Sequence, residues 1–158
     1  MTLILDKDLD KHIVRAKKPS TEFGPSHWKY LFRLLGLVVV ADKKVVPESV
    51  DAYVKALREL AIVIDPKLVV THRMIQDWIS LNKTSLIEMV DSLEYDTVLL
   101  EILKEIKFLP HKLDVITAMV RVAIADGNYS DMKQMFVKKT ILYWNIHAAK
   151  PLIETTAP

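Results

Sequence analysis

The chain has 158 residues, 51% of them hydrophobic and 27% charged, with 22 Lys plus Arg against 20 Asp plus Glu for a net charge of +2. That length and composition suit one domain with a continuous core and are too apolar for disorder. A balance so near neutral supplies no field to recruit nucleic acid or an anionic membrane, and the absence of cysteine removes disulfides, thiolate nucleophiles, iron–sulfur clusters and zinc ribbons.

The predicted elements are helices joined by short breaks. The first residues, Met1-Thr2-Leu3-Ile4-Leu5-Asp6, hold too short an apolar run for a signal peptide, and a first helix is expected from about Leu3 to Lys17, with Leu5, Leu9, Ile13 and Ala16 near one face. Pro19 to Pro25 is a break, after which Ser26 is the expected N-cap of a helix running to Ala41. That helix is apolar almost all round (Trp28, Leu31, Phe32, Leu35, Val38, Val39), so it should be central and covered on several sides. The longest apolar run, Leu34 to Ala41, falls far short of the roughly 20 residues a membrane span needs.

Pro47 suits the first turn of the next helix, which carries Val50, Tyr53, Val54, Leu57 and Leu60 at three- and four-residue steps. Asp65-Pro66 is expected to open another, with Leu68, Val69, His72, Ile75 and Ile79, and Lys83-Thr84 to precede a short one with Leu86, Ile87 and Val90. Val98 to Ile106 follows. Pro110 should start a second central helix through Val115, Ile116, Met119, Val120, Ala123 and Ile124. Ser130 is the expected cap of the last, with Met132, Met135, Phe136, Ile141 and Leu142, and the residues beyond Asn145 should fray. No stretch alternates with period two between turn signals. The expected class is therefore all-α, with about seven to eight helices in a single domain over 1–158 and its core at about 26–146.

Two stretches nearly repeat each other. Val39-Val40-Ala41-Asp42-Lys43-Lys44-Val45 and Ala123-Ile124-Ala125-Asp126-Gly127-Asn128-Tyr129 each close an apolar run with Ala-Asp and lead through a polar loop into a second amphipathic run. The offset is 126 − 42 = 84 residues, and at that offset Leu35 pairs with Met119, Val38 with Val122, Val39 with Ala123, Leu57 with Ile141 and Leu60 with Trp144. Apolar character recurs on the same helical face position after position. The simplest reading is a duplicated helix–loop–helix unit, at about 28–62 and 112–146, forming two pseudo-symmetric halves.

On these residues the chain resembles the TerB-like family, which takes its name from a tellurite-resistance protein. Ala125-Asp126-Gly127-Asn128-Tyr129-Ser130-Asp131 carries the family's Ala-Asp-Gly signature best, and Ala41-Asp42-Lys43-Lys44-Val45-Val46-Pro47-Glu48 carries it with Lys43 in the glycine place. The resemblance covers roughly Trp28 to Ile146 in rhythm and about ten residues per half in motif. It implies an all-helical fold of two such units and a stress-response role in tellurite and related chemical resistance, with metal-ion binding among the family's inferred properties. Where the family places a glutamate early in the second helix, this chain has Ser49 and Lys133, which thins any anionic cluster.

An aspartate at a helix C-terminus faces unsatisfied carbonyls and is disfavoured by several tenths of a kcal/mol, so Asp42 and Asp126 need a local reason. One is geometric: each side chain accepts from backbone N–H groups two or three residues on and fastens the loop, with Gly127 free to take a left-handed exit that Lys43 would adopt only under strain. The other is ionic: Asp42, Glu48, Asp126 and Asp131 supply hard oxygen ligands for a divalent cation such as Ca²⁺ or Mg²⁺. Six or more ligands are needed and neither loop has Asp-x-Asp spacing, so fastening carries more weight.

The other candidates are weaker. His12, His27, His72, His111 and His147 include no i, i+4 pair for zinc, and His72, in step with Leu68 and Ile75, should be a half-buried core histidine. Trp28, Trp78 and Trp144 read as core, Lys17-Lys18 and Lys138-Lys139 as solvated faces, and a buried Arg121 would need an acidic partner. With no nucleophile elbow or phosphate loop, the expected function is non-enzymatic: a cytoplasmic protein acting through a protein partner, a homodimer included, and through weak metal binding at the Ala-Asp loops. A helical domain binding a small ligand in an apolar pocket between its central helices is the alternative.

Overall fold

The computed structural model describes residues 25–147, and the expected helix from Leu3 to Lys17, with His12 and Lys17-Lys18, lies outside them. The described residues are all-helical. A 3-10 turn, Pro25–His27, leads into α1 (Trp28–Val39), followed by α2 (Pro47–Ile64), α3 (His72–Asp91), α4 (Tyr95–Glu105), α5 (Lys112–Ile124) and α6 (Asp131–His147).

Helix α1 is central, as its composition requires. Trp28, Leu31, Phe32, Leu34, Leu35, Leu37, Val38 and Val39 are all buried, and the helix packs against every other one. Gly36 faces the side chains of α3, where a Cβ would lie 2.9 Å from Leu86 Cδ1. Edge-on contact of Phe32 with Trp78, at 5.5 Å between centroids, joins the same two helices. Tyr53 on α2 donates its hydroxyl to the Phe32 carbonyl at 2.9 Å, and full burial raises its phenol well above the ordinary value. The most extensive packing of any pair is α2 along α5. The buried side chains of all six helices form one hydrophobic cluster, in which Trp28, Trp78 and Trp144 are among the largest members.

Several boundaries differ from the sequence reading. Ser26 falls in the 3-10 turn, and His27 occupies the α1 N-cap, where its side chain makes no capping hydrogen bond to the helix. Asp65-Pro66 forms a turn instead of opening a helix: the Asp65 carboxylate accepts from Lys67 N at 3.3 Å and its carbonyl from Leu68 N at 2.9 Å. The helix begins later, at His72, where Thr71 Oγ1 accepts from Met74 N at 3.1 Å. It then runs through Lys83-Thr84 to Asp91, because that pair is polar but contains no breaker and the buried Asn82 satisfies its amide on the Trp78 carbonyl at 2.7 Å. Two expected helices are one. His111, at φ 59°, turns the chain into α5 immediately after Pro110.

Candidate functional site

The two Ala-Asp loops have the same backbone. Helices α1 and α5 start 84 residues apart, as do α2 and α6. After α1, Ala41 N donates to Val38 O at 3.3 Å and Lys43 N to Val40 O at 2.8 Å; after α5, Ala125 N donates to Val122 O at 3.4 Å and Gly127 N to Ile124 O at 2.9 Å. Lys43 has φ 64° and Gly127 φ 80°, so both exits use the left-handed conformation. For glycine this costs little, whereas for lysine it costs about 1 kcal/mol or more. Lys43 takes the strained alternative, and its ammonium pairs with Asp91 at 2.8 Å across to α3.

Between the loops sits a lysine. Lys133, in the first turn of α6, is only 2% exposed. Its Nζ donates to Asp126 Oδ1 at 2.9 Å and to the Asn128 carbonyl at 2.8 Å, and lies 3.8 Å from Asp42 Oδ2. Asp126 Oδ1 also accepts from Asn128 N at 3.0 Å, the local fastening its position suggests. Asp42 is fastened differently: its Oδ1 accepts from Ser130 Oγ at 2.6 Å, 88 positions along the chain. That same hydroxyl oxygen caps α6 by accepting from Lys133 N at 3.3 Å. Ser130, Lys133, Asp126 and Asp42 therefore form one network that ties the end of α1 and the end of α5 to the start of α6.

The electrostatics follow from this arrangement. The hydrogen bond from Lys133 holds the Asp126 carboxyl below the ordinary carboxylate range, the Asn128 amide adds to the effect, and partial burial opposes it. Asp42 Oδ2 is buried with no hydrogen bond among the described residues, so the ammonium 3.8 Å away is its compensating charge. Two carboxylates and a backbone carbonyl thus surround a cation that belongs to the chain itself.

Of the four candidate metal ligands, Asp42 and Asp126 meet at Lys133, while Glu48 and Asp131 lie exposed in the first turns of α2 and α6, where the helix dipole favours a carboxylate. Among the described residues, no group of three or more His, Asp or Glu side chains is arranged to hold a metal ion. Lys133 is the site residue the sequence reading missed, having counted it only as a lost glutamate. The signal was available: Lys133, Phe136, Val137, Thr140 and Trp144 recur at helical spacing and form the buried face of α6. Leu142, expected on that face, is 59% exposed.

His72 is exposed, contrary to expectation, because as the first residue of α3 it precedes the packed part of the helix. It borders a hollow of about 470 Å³ with Val54, Lys55, Arg58 and Ile62. Arg121 is also exposed, and pairs with Glu59 across α2 and α5. Lys138 is exposed, and Lys139 pairs with Asp96. No helix among the described residues is long and apolar enough to cross a membrane.

No family model matches this chain, and neither a curated protein nor a solved structure is found to be similar to it.

Proposed function

We propose that this chain is a non-catalytic helical interaction domain of the TerB-like kind, built by duplication of a helix–loop–helix unit and acting in a stress response through a protein partner. The observation that carries this reading is the buried ammonium of Lys133 between Asp126 and Asp42. It gives the two acidic loops a structural task, fastening the helix pairs into a firm scaffold. The outward face of α2, flanked by hollows on both sides, is then the natural place for a partner.

A divalent-cation role for Asp42, Glu48, Asp126 and Asp131 finds less support, since a metal entering between the aspartates would have to displace a tethered positive charge. The small-ligand reading draws on the hollow of about 470 Å³ beside Ile62 and Val54, which lies on the surface of α2 and not between the central helices.

Two experiments test the reading. Titration calorimetry with Ca²⁺, Mg²⁺, Mn²⁺ and Zn²⁺ at millimolar concentration should give no saturable heat, and saturable binding lost in D126N would replace the fastener with a metal site. A photo-crosslinking residue placed at Ile62 in cells should give discrete adducts that the same residue at Leu81 does not. Equal labelling at both positions, or none, would remove the case for α2 as a partner surface.

A further inference from the structure

The exposed stripe of α2 is self-complementary. Ala52, Lys55, Glu59 and Ile62 follow one another at steps of three, four and three residues, and at about 100° per residue they fall within an arc of about 80°. Ile62 projects from this stripe, 68% exposed. Ala52, the smallest side chain of the four, lies in a hollow of about 490 Å³ that Asp51, Lys55, Glu59 and Arg121 also line. Projection and hollow stand ten residues apart, about 15 Å along the helix axis. Lys55 and Glu59 lie symmetrically inside them, each two residues from the level of Leu57.

We infer that the partner of this face is a second copy of the chain, docked with its α2 antiparallel about a two-fold axis at the level of Leu57. The inference rests on the reading of the chain as an interaction domain and names the occupant. In that register Ile62 of each copy enters the hollow over Ala52 of the other, and Lys55 of each meets Glu59 of the other. An isologous contact requires this, since whatever one copy offers must be received by the same surface on its mate. Lys55 has no carboxylate partner among the described residues. Glu59 already accepts from Arg121, but a carboxylate has acceptor capacity for a second donor. The polar pair at the centre lowers affinity and fixes the register, because sliding α2 by one turn would bring like charges together or leave Ile62 without its hollow.

The test is charge reversal followed by mixing. Sedimentation equilibrium of the wild-type chain over a concentration series should show a monomer–dimer equilibrium. K55E sets two carboxylates against each other at both symmetric contacts, and E59K does the same with two ammonium groups. Each variant alone should therefore sediment as a monomer while its circular dichroism remains that of the folded wild type. Mixed in equal amounts, the two variants restore one opposite-charge arrangement across the axis: both basic positions lie on one chain and both acidic positions on the other. The mixture should recover the dimer. A wild-type chain that stays monomeric throughout the series overturns the inference, as do variants that dimerise alone or fail to recover on mixing. Adducts from position 62 to a protein of different sequence, with the wild type monomeric, would overturn only the self-association and leave the interaction reading in place.

Discussion

The Lys133 ammonium and the Asp126 carboxylate stand 2.9 Å apart, both largely withdrawn from solvent, with Asp42 completing the group from the other loop. A buried charge left alone is strongly destabilising, and removing one member of such a pair costs about 3–5 kcal/mol where burial is complete. The carboxylates here retain 14% and 21% side-chain exposure, which moderates that cost. Because the network spans residues from 42 to 133, its loss should be felt by the whole fold.

Ser130 makes two separable contributions. Its hydroxyl oxygen caps α6 and its proton goes to Asp42. S130A should lower unfolding free energy by about 1–2 kcal/mol from the cap, with an added loss from the carboxylate it leaves unbonded. Urea denaturation would check this, and S130G, which retains a tolerated cap but no hydroxyl, isolates the second contribution.

Acid should weaken the clasp. The Asp126 carboxyl titrates below its unfolded-state value, so the folded state binds fewer protons than the unfolded chain in that range. Its stabilisation is therefore fully present above the ordinary carboxylate pKa of about 4 and is lost as pH falls through the lower folded value. Stability measured from pH 7 downward should be flat in this contribution until about pH 4, then decline, and D126N should lack that part of the decline.

The matched loop exits predict opposite responses to glycine chemistry. K43G should stabilise by about 0.5–1 kcal/mol, since it relieves a left-handed lysine and loses only the exposed pair with Asp91. G127A should destabilise by about 1 kcal/mol, and by backbone conformation alone, because nothing lies within 4 Å of the added methyl group. Thermal melts of the two single variants would show the signs directly.

Tyr53 to Phe removes the bond to the Phe32 carbonyl while keeping the ring in the core. That carbonyl belongs to α1, so Y53F should cost about 1 kcal/mol without altering the fold, as seen by an unchanged circular dichroism spectrum and a lower melting temperature.

Much of the architecture was legible from residues. Trp28 through Val39 could be nothing but a central helix, Pro47 marked the start of α2 correctly, and Ser130 does cap α6. Local chemistry misled where two signals competed. Pro66 is compatible with a helix start, but Asp65 beside it can close its own turn, and Thr71 offered the better cap. The clasp was half visible. Both aspartates stood out as misplaced charges, yet the residue that answers them was read as an absence, since lysine in the first turn of a helix ordinarily points to water. Its spacing with Phe136, Val137, Thr140 and Trp144 marks the buried face, and the packing that brings residues 42 and 130 together supplies the partners Lys133 meets there.

The central claim, that Lys133 is the tethered cation of the two acidic loops, is tested most directly by a double-mutant cycle. Unfolding free energies of the wild type, K133M, D126N and the double variant at pH 7 should give a favourable coupling of about 1.5–3 kcal/mol between the two residues. A coupling indistinguishable from zero would mean that the ammonium and the carboxylate do not hold each other, and would contradict the account.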